Sequence, residues 1–242
     1  MYPDKIKKCS SISLFFPAYN EEANIAKSIN QALTILPQFA EQYEIIVVDD
    51  GSKDKTAEIV QQVASKHPQV RLIQHDTNVG YGGAVKSGIY GSRFDLIFLC
   101  DADLQFDLTE MPRMLEWINE YDLVVGYRVK RKDPFHRRVN ALCWHLLIHI
   151  LLSLKVKDID CAFKLFRKSI FQNMKLSSNG AMVSTEILAQ ARSFGYKIKE
   201  IPVSHYPRLE GEQSGANPKV VFKAFRDLFK FYREMKKSGK NH

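Results

Sequence analysis

Asp101-Ala102-Asp103-Leu104-Gln105 places two carboxylates and an amide at alternate positions. If the chain stays extended there, residues 101, 103 and 105 project to one side. That lines up hard oxygen donors suited to Mg²⁺ or Mn²⁺. An ion held by one or two carboxylates completes its shell with substrate phosphates and water. The same letters also suit solvated carboxylates capping a helix near Leu108, so the segment needs its neighbours to be interpreted. Asp49 and Asp50 form a second acidic cluster, in Val48-Asp49-Asp50-Gly51-Ser52-Lys53-Asp54-Lys55-Thr56. Its carboxylates suit base N–H groups or ribose hydroxyls, and adjacent like charges at a buried strand end are costly without a compensating ligand or metal. Asp54 reads as a helix cap. Tyr19, in Pro17-Ala18-Tyr19-Asn20-Glu21, offers a ring for stacking on a base, although the same run also reads as a turn and cap. Gly80-Tyr81-Gly82-Gly83 matches no phosphate-loop spacing; it reads as a tight turn first and a ligand loop second. Basic residues crowd Arg128 to Arg138.

Positioning these clusters requires strands that end where they begin. Ile12–Phe16, Glu44–Val48, Val70–Ile73 and Leu96–Cys100 are strand-like apolar runs, the first ended by Pro17. They alternate with helical spacing at Glu21–Leu36, capped by Asn20, at Lys55–Lys66, and after the glycine turn. Unbroken apolar strands alternating with helices predict an α/β, mainly parallel, Rossmann-like sheet with helices on both faces. Ligands bind such sheets beyond the carboxyl ends of the strands, and the polar clusters lie there. Further along, helices are predicted at about Phe135–Leu154, Val183–Phe194 and Pro218–Lys237, with a strand at Ile198–Val203. A chain of 242 residues without an evident linker reads as one domain, with a donor half at about 11–126 and an elaborated acceptor half at about 127–242.

Hydrophobic residues at 45% and charged residues at 26% are ordinary globular values. The net charge of +8 favours an anionic partner. Four scattered cysteines, including Cys100 and Cys143, fit a reduced, cytosolic setting. No signal peptide is visible in residues 1–11. Val139–Leu154 is interrupted by Asn140, His145 and His149 and is shorter than the roughly 20 residues of a spanning helix. It reads as an interfacial helix or a core helix. The last helix sets Val221, Ala224, Phe225, Leu228 and Tyr232 on one face. Lys219, Lys223, Arg226, Lys230, Arg233 and Lys237 follow on another, the pattern of a helix lying on an anionic membrane or of a solvated basic face.

The order P-A-Y-N-E, V-D-D-G-S-x-D-x-T, N-x-G-x-G-x-A and D-A-D-L-Q resembles family 2 glycosyltransferases of the GT-A fold. G-Y-R at 126–128, D-C-A-F-K-L-F at 160–166, T-E at 185–186 and R-L-E-G-E at 208–212 resemble the polyprenol-phosphate branch, which includes dolichol-phosphate mannose synthase. The resemblance implies that Asp101, Asp103 and Gln105 hold Mg²⁺ or Mn²⁺, and that Pro17, Tyr19, Glu21 and Asp50 hold the nucleoside, with Asp101 also facing the donor. It implies that Arg208 meets the pyrophosphate, and that Arg128 with Arg137 or Arg138 grips the acceptor phosphate; Asp103, Arg128 and Arg208 then form the catalytic set. Two segments depart from the family pattern: Phe106-Asp107-Leu108 replaces His-Pro-Pro, and Glu212-Gln213-Ser214-Gly215 replaces G-x-S-K, with Lys219 as a substitute to close over the donor.

The expected reaction is metal-dependent transfer of a hexose, with inversion, from a nucleotide sugar to a polyprenyl phosphate, dolichyl or undecaprenyl. GDP-mannose and UDP-glucose are both open as donors. The expected location is peripheral, on the cytoplasmic face of a membrane, with room for a separate membrane subunit. A same-fold enzyme acting on a glycan, protein or lipid acceptor is the alternative. A dinucleotide oxidoreductase would need G-x-G-x-x-G where Pro17-Ala18-Tyr19-Asn20 stands. A nucleic-acid-binding module would meet repulsion from the acidic strand ends.

Overall fold

The computed structural model describes residues 8–129, 147–152, 154–208, 210, 226–233 and 235–236. In chain order the elements are β1 (Cys9–Ala18), α1 (Ile25–Phe39), β2 (Ala40–Asp49), α2 (Thr56–Ala64), β3 (Val70–Gln74) and α3 (Tyr81–Gly91). There follow β4 (Leu96–Leu99), α4 (Met111–Leu115), β5 (Leu123–Arg128), β6 (Lys164–Arg167), α5 (Met182–Ser193) and β7 (Ile198–Val203). The strands form one sheet in the order β3-β2-β1-β4-β6-β5-β7. β3, β2, β1 and β4 run parallel, as the alternating pattern predicts. β6 is inserted antiparallel to both β4 and β5, and β5 pairs in parallel with β7. This is the GT-A fold. Its sheet draws strands from both sides of residue 126.

The central strands are apolar because both of their faces are covered. Ile12, Leu14, Phe16, Ile45 and Val47 face a layer closed by Ile25, Ile29 and Leu36 of α1 and Val60 of α2. Phe15, Ile46, Val48, Ile97 and Leu99 face the other, closed by Val85 and Ile89 of α3 and Val183 and Ile187 of α5. Each such side chain withdrawn from water stabilises the sheet by roughly 1.5–3 kcal/mol. Ile148 and Leu228 are also fully buried in the second layer.

The described part of the predicted 135–154 helix, residues 147–152, is therefore core-packed, although Ile150 remains 66% exposed. In the last helix Leu228 and Phe231 turn inward, while Arg226, Phe229, Lys230, Arg233 and Lys236 are exposed. Among the described residues of this helix, Leu228 and Phe231 thus pack on the core, while Phe229 lies outward with the basic side chains. No helix among the described residues is long and apolar enough to cross a membrane.

Two predicted boundaries move for local reasons. β1 runs through Pro17 to Ala18, pairing Pro17 with Val48. Backbone groups alternate along a strand, so the missing N–H of Pro17 falls on the β4 side, where pairing has stopped at Phe15 opposite Leu99. The first helix begins at Ile25, flanked by Asn24. Asn20 does not cap it: Asn20 takes a left-handed conformation, φ 56°, in the loop beyond β1. Strand order reverses between β1 and β4, and the crevice beyond their carboxyl ends is the switch point where such sheets bind ligands.

Candidate active site

The loops after β1 and β2 lock each other. The Asn20 amide donates to Ser52 Oγ at 2.9 Å and the Lys53 amide returns to Asn20 Oδ1 at 2.9 Å. The Glu21 amide donates to Thr56 Oγ1 at 2.8 Å. The Glu22 amide donates to Asp54 Oδ2 at 3.1 Å, and the Lys55 amide to Glu22 Oε2 at 3.0 Å. Asp54 also accepts from the Thr56 amide and hydroxyl, one residue ahead of Lys55, which flanks the helix. These bonds explain why P-A-Y-N-E and D-D-G-S-x-D-x-T occur together. They leave Tyr19 40% exposed at the lip of the crevice.

Asp49 and Asp50 are both buried, with different fates. Asp50 accepts from the Val79 amide at 3.0 Å, the Gly80 amide at 2.8 Å and pairs with His75 Nδ1 at 2.7 Å. His75 Nε2 in turn meets Ser87 Oγ at 2.8 Å. Asp49 Oδ1 accepts from the Ser52 amide at 3.2 Å. Its Oδ2 is buried without a hydrogen-bond partner among the described residues, an acceptor of the kind that calls for an explanation.

The segment after β4 does not stay extended. The chain bends at 102–104, and Leu104 is left-handed, φ 61°, a conformation that a non-glycine residue adopts at a cost of order 1–3 kcal/mol. The Ala102 carbonyl is pinned by Ser28 Oγ at 2.7 Å. The bend still brings both acids to the crevice. Asp101 Oδ1 accepts from the Tyr81 hydroxyl at 3.2 Å, while Asp103 Oδ1 accepts from the Gln105 amide at 3.2 Å. Burial, then the charge of Asp103, pushes the Asp101 carboxyl up to about 7. Burial likewise raises Asp103, against the Gln105 amide and Arg208, which favour its charge. Gln105 is tied to the chain after β7: its Nε2 donates to the Tyr206 carbonyl at 2.9 Å, and the Tyr206 amide to its own carbonyl at 2.9 Å.

That tie carries Arg208 into the crevice. Its Nη2 meets Glu21 Oε1 at 2.7 Å, its Nη1 lies 3.7 Å from Asp103 Oδ2, and its Nε donates to the Glu210 carbonyl at 2.7 Å. Glu21, Asp103 and Arg208 thus meet from three separate segments.

Arg128 ends β5 in a buried ion pair that the sequence does not announce. Its Nε and Nη2 donate to Asp158 Oδ2 and Oδ1 at 2.7 and 2.8 Å, and its amide to Asp158 Oδ2 at 3.1 Å. Burial opposes the guanidinium charge, but Asp158 outweighs it and the pKa is raised. Nearby, Lys164 is fully buried, its Nζ donating to the Cys161 carbonyl and toward Ser184 Oγ; burial lowers its pKa. Arg137, Arg138, Cys143, His145, Gln213–Gly215 and Lys219 lie outside the described residues. Tyr81, His75 and Asp158 are the residues that sequence reading passes over; the alternation Asp158-Ile159-Asp160 just before the 160–166 motif is the one signal available for the last.

The model of the family described as Glycosyl transferase family 2 matches residues 13–175, from within β1 through the acidic loops to beyond β6. The chain belongs to glycosyl transferase family 2. Among curated relatives of this family member, the Trichomonas vaginalis protein named dolichyl-phosphate beta-glucosyltransferase ALG5C is 35% identical over 209 residues, 77% of this chain and 61% of its own. The Edwardsiella ictaluri undecaprenyl-phosphate 4-deoxy-4-formamido-L-arabinose transferase is 31% identical over 218 residues, 89% of this chain and 66% of its own. The chain thus spans between three fifths and two thirds of the length of these relatives. Among solved structures, glucosyl-3-phosphoglycerate synthase from Mycobacterium tuberculosis, in complex with Mn²⁺, uridine diphosphate and phosphoglyceric acid, superposes with a TM-score of 0.74. It is 18% identical, covering 92% of this chain and 78% of its own, a likeness of fold.

Proposed function

We propose that this family 2 member transfers a hexose from a nucleotide sugar to a polyprenyl phosphate at a membrane surface, by direct displacement with inversion at the anomeric carbon. The observation that carries this reading is the convergence of Asp101, Asp103 and Arg208 in the β1/β4 crevice, joined through Glu21 to the loop that carries Tyr19. Pro17, Tyr19, Glu21 and Asp50 would wall the nucleoside pocket, with the exposed Tyr19 available to stack on the base.

Asp101 and Asp103 would hold Mg²⁺ or Mn²⁺, with Gln105 contributing its side-chain oxygen. The donor set fits: it is hard oxygen, partly withdrawn from water, with Arg208 as the cation set against it. A divalent ion there supplies positive charge to the departing diphosphate. Arg208, already among carboxylates, turns its guanidinium to the same diphosphate.

Arg128, with Arg137 or Arg138, draws in the acceptor phosphate. Asp158 takes the Nε edge of Arg128, leaving the other guanidinium nitrogen for an anion. A phosphate monoester with a second pKa of about 6 is largely dianionic at neutral pH and attacks without a general base. Likeness to the dolichyl-phosphate beta-glucosyltransferase supports glucose ahead of mannose. The exposed Arg226, Lys230, Arg233 and Lys236 with Phe229 suit an anionic bilayer.

The test is a transfer assay with radiolabelled UDP-glucose and GDP-mannose, undecaprenyl or dolichyl phosphate, and Mn²⁺ or Mg²⁺. Labelled lipid of inverted anomeric configuration is expected. Label appearing only on a glycan, protein or other lipid, or a product of retained configuration, would overturn the corresponding part of the reading.

A further inference from the structure

The Gly80-Tyr81-Gly82-Gly83 turn is shaped for packing. The Gly80 amide donates to Asp50 Oδ2 at 2.8 Å and the Gly82 amide to the Asn179 carbonyl at 3.0 Å, so both donors are committed within the protein and do not form a phosphate cradle. A side-chain carbon at Gly80 would lie 2.3 Å from the Asn179 oxygen, and one at Gly82 2.6 Å from the Ser178 oxygen. The start of α3 is therefore wedged between the β2 loop, through Asp50, and the loop before α5, through Asn179. Tyr81 stands at the centre of this wedge. Its hydroxyl reaches Asp101 Oδ1 at 3.2 Å.

We propose that Tyr81 is a positioning residue for the Asp101 carboxylate: it fixes the orientation in which Asp101 presents its second oxygen to a divalent cation, and Asp50 and Asn179 hold the turn that makes this aim rigid. The inference rests on the reading of Asp101 and Asp103 as cation ligands. A hydrogen bond from a fixed donor to one oxygen of a carboxylate removes rotational freedom that the ligand would otherwise lose on binding. It also selects which lone pairs face the ion, the role outer hydrogen-bond partners play at metal sites generally. The same chain gives the Asp50 carboxylate a structural task besides any it has toward a nucleoside.

Tyr81→Phe keeps the ring and removes the hydroxyl. Mn²⁺ binding, followed by electron paramagnetic resonance with and without uridine diphosphate, is expected to weaken roughly 10–100-fold. The Mn²⁺ concentration for half-maximal transfer should rise by a similar factor, while kcat at saturating Mn²⁺ stays within about threefold and the donor KM is unchanged. A Tyr81→Phe chain with wild-type Mn²⁺ affinity overturns the proposal, as does one whose kcat falls with metal affinity unaltered. Asp101→Asn and Asp103→Asn, measured alongside, separate the two levels. If they bind Mn²⁺ like wild type, the cation reading itself fails; if they lose it while Tyr81→Phe does not, only the Tyr81 inference fails. Should Tyr81→Phe not fold, Tyr81→Leu serves the same measurement.

Discussion

Asp158→Asn removes the charge that faces Arg128 and leaves a guanidinium with 15% side-chain exposure beside a neutral amide. The native pair is bidentate, at 2.7 and 2.8 Å, and Asp158 also accepts the Arg128 amide. Removing one partner of a buried ion pair costs about 3–5 kcal/mol, because the remaining charge stays desolvated without compensation. For a chain of this size each kcal/mol lowers the unfolding midpoint by roughly 2–4 °C, so a fall of about 6–20 °C is expected in a calorimetric scan. Function should suffer beyond stability. With its Nε edge released, Arg128 no longer points one way, and misplacement of a gripping group by about 1 Å costs on the order of 10²-fold. That loss should appear in kcat/KM for polyprenyl phosphate, assayed well below the new midpoint, with the donor KM unchanged. A single Asp158→Asn variant that melts within about 2 °C of wild type and keeps its acceptor kinetics would refute the reasoning.

The raised Asp101 gives a pH signature. Its ordinary value is 3.8 and its folded value is about 7, so between these the unfolded chain is ionised while the folded chain keeps the proton. The metal-free protein should lose stability relative to Asp101→Asn as pH rises from about 4 to 7, and the difference should level off above 7; a difference that grows in the opposite direction would refute it. Mn²⁺ affinity should strengthen as pH climbs through the same window, because the ligand must shed its proton. Glu21→Gln frees Arg208 from its shorter carboxylate contact, and should raise the donor KM several-fold while leaving the acceptor KM alone in steady-state assays. Lys230→Gln with Arg233→Gln removes two exposed cations from the last helix; at about 1 kcal/mol each near an anionic surface, binding to phosphatidylserine vesicles should drop roughly 30-fold in sedimentation.

β1, β2 and β4 were legible because they are buried on both faces and read as unbroken apolar runs, whereas β5 was missed. β6 was missed too. It is four residues long and begins with Lys164, a charged residue whose burial depends on partners at Cys161 and Ser184, so no periodicity marks it. The site residues were legible as types at strand ends, whereas their couplings were not. Tyr81 meets Asp101 across 20 positions, Arg128 meets Asp158 across 30, and Arg208 meets Glu21 across 187. Nothing local specifies such contacts. The extended geometry expected for Asp101–Gln105 failed at Leu104, where the left-handed turn is imposed from outside, by Ser28 on one flank and Tyr206 on the other.

That imposed bend is what makes the crevice acidic. Extended, the segment would set Asp103 where pairing along the sheet dictates; bent, it places Asp103 beside Asp101 and within 3.7 Å of Arg208. Arg208 then stands against Asp103 and Glu21, while Lys164 and Arg128 offset the charge of Asp101 only in part, and burial makes the imbalance costly. A carboxylate cluster of this kind can be neutralised by a proton, as the upward shift of Asp101 records, or by a cation. A nucleotide diphosphate, bound as proposed, would add further negative charge to the same place, so a proton on Asp101 would be too little to admit it where a divalent ion would suffice. On the proposed reading, the left-handed turn at Leu104, the half-buried acids and the pinned arginine would form one arrangement, stabilised by the arrival of an ion and a diphosphate together. Cooperative binding follows: nucleotide should bind weakly without Mn²⁺, and calorimetric titration should show each strengthening the other by the same factor.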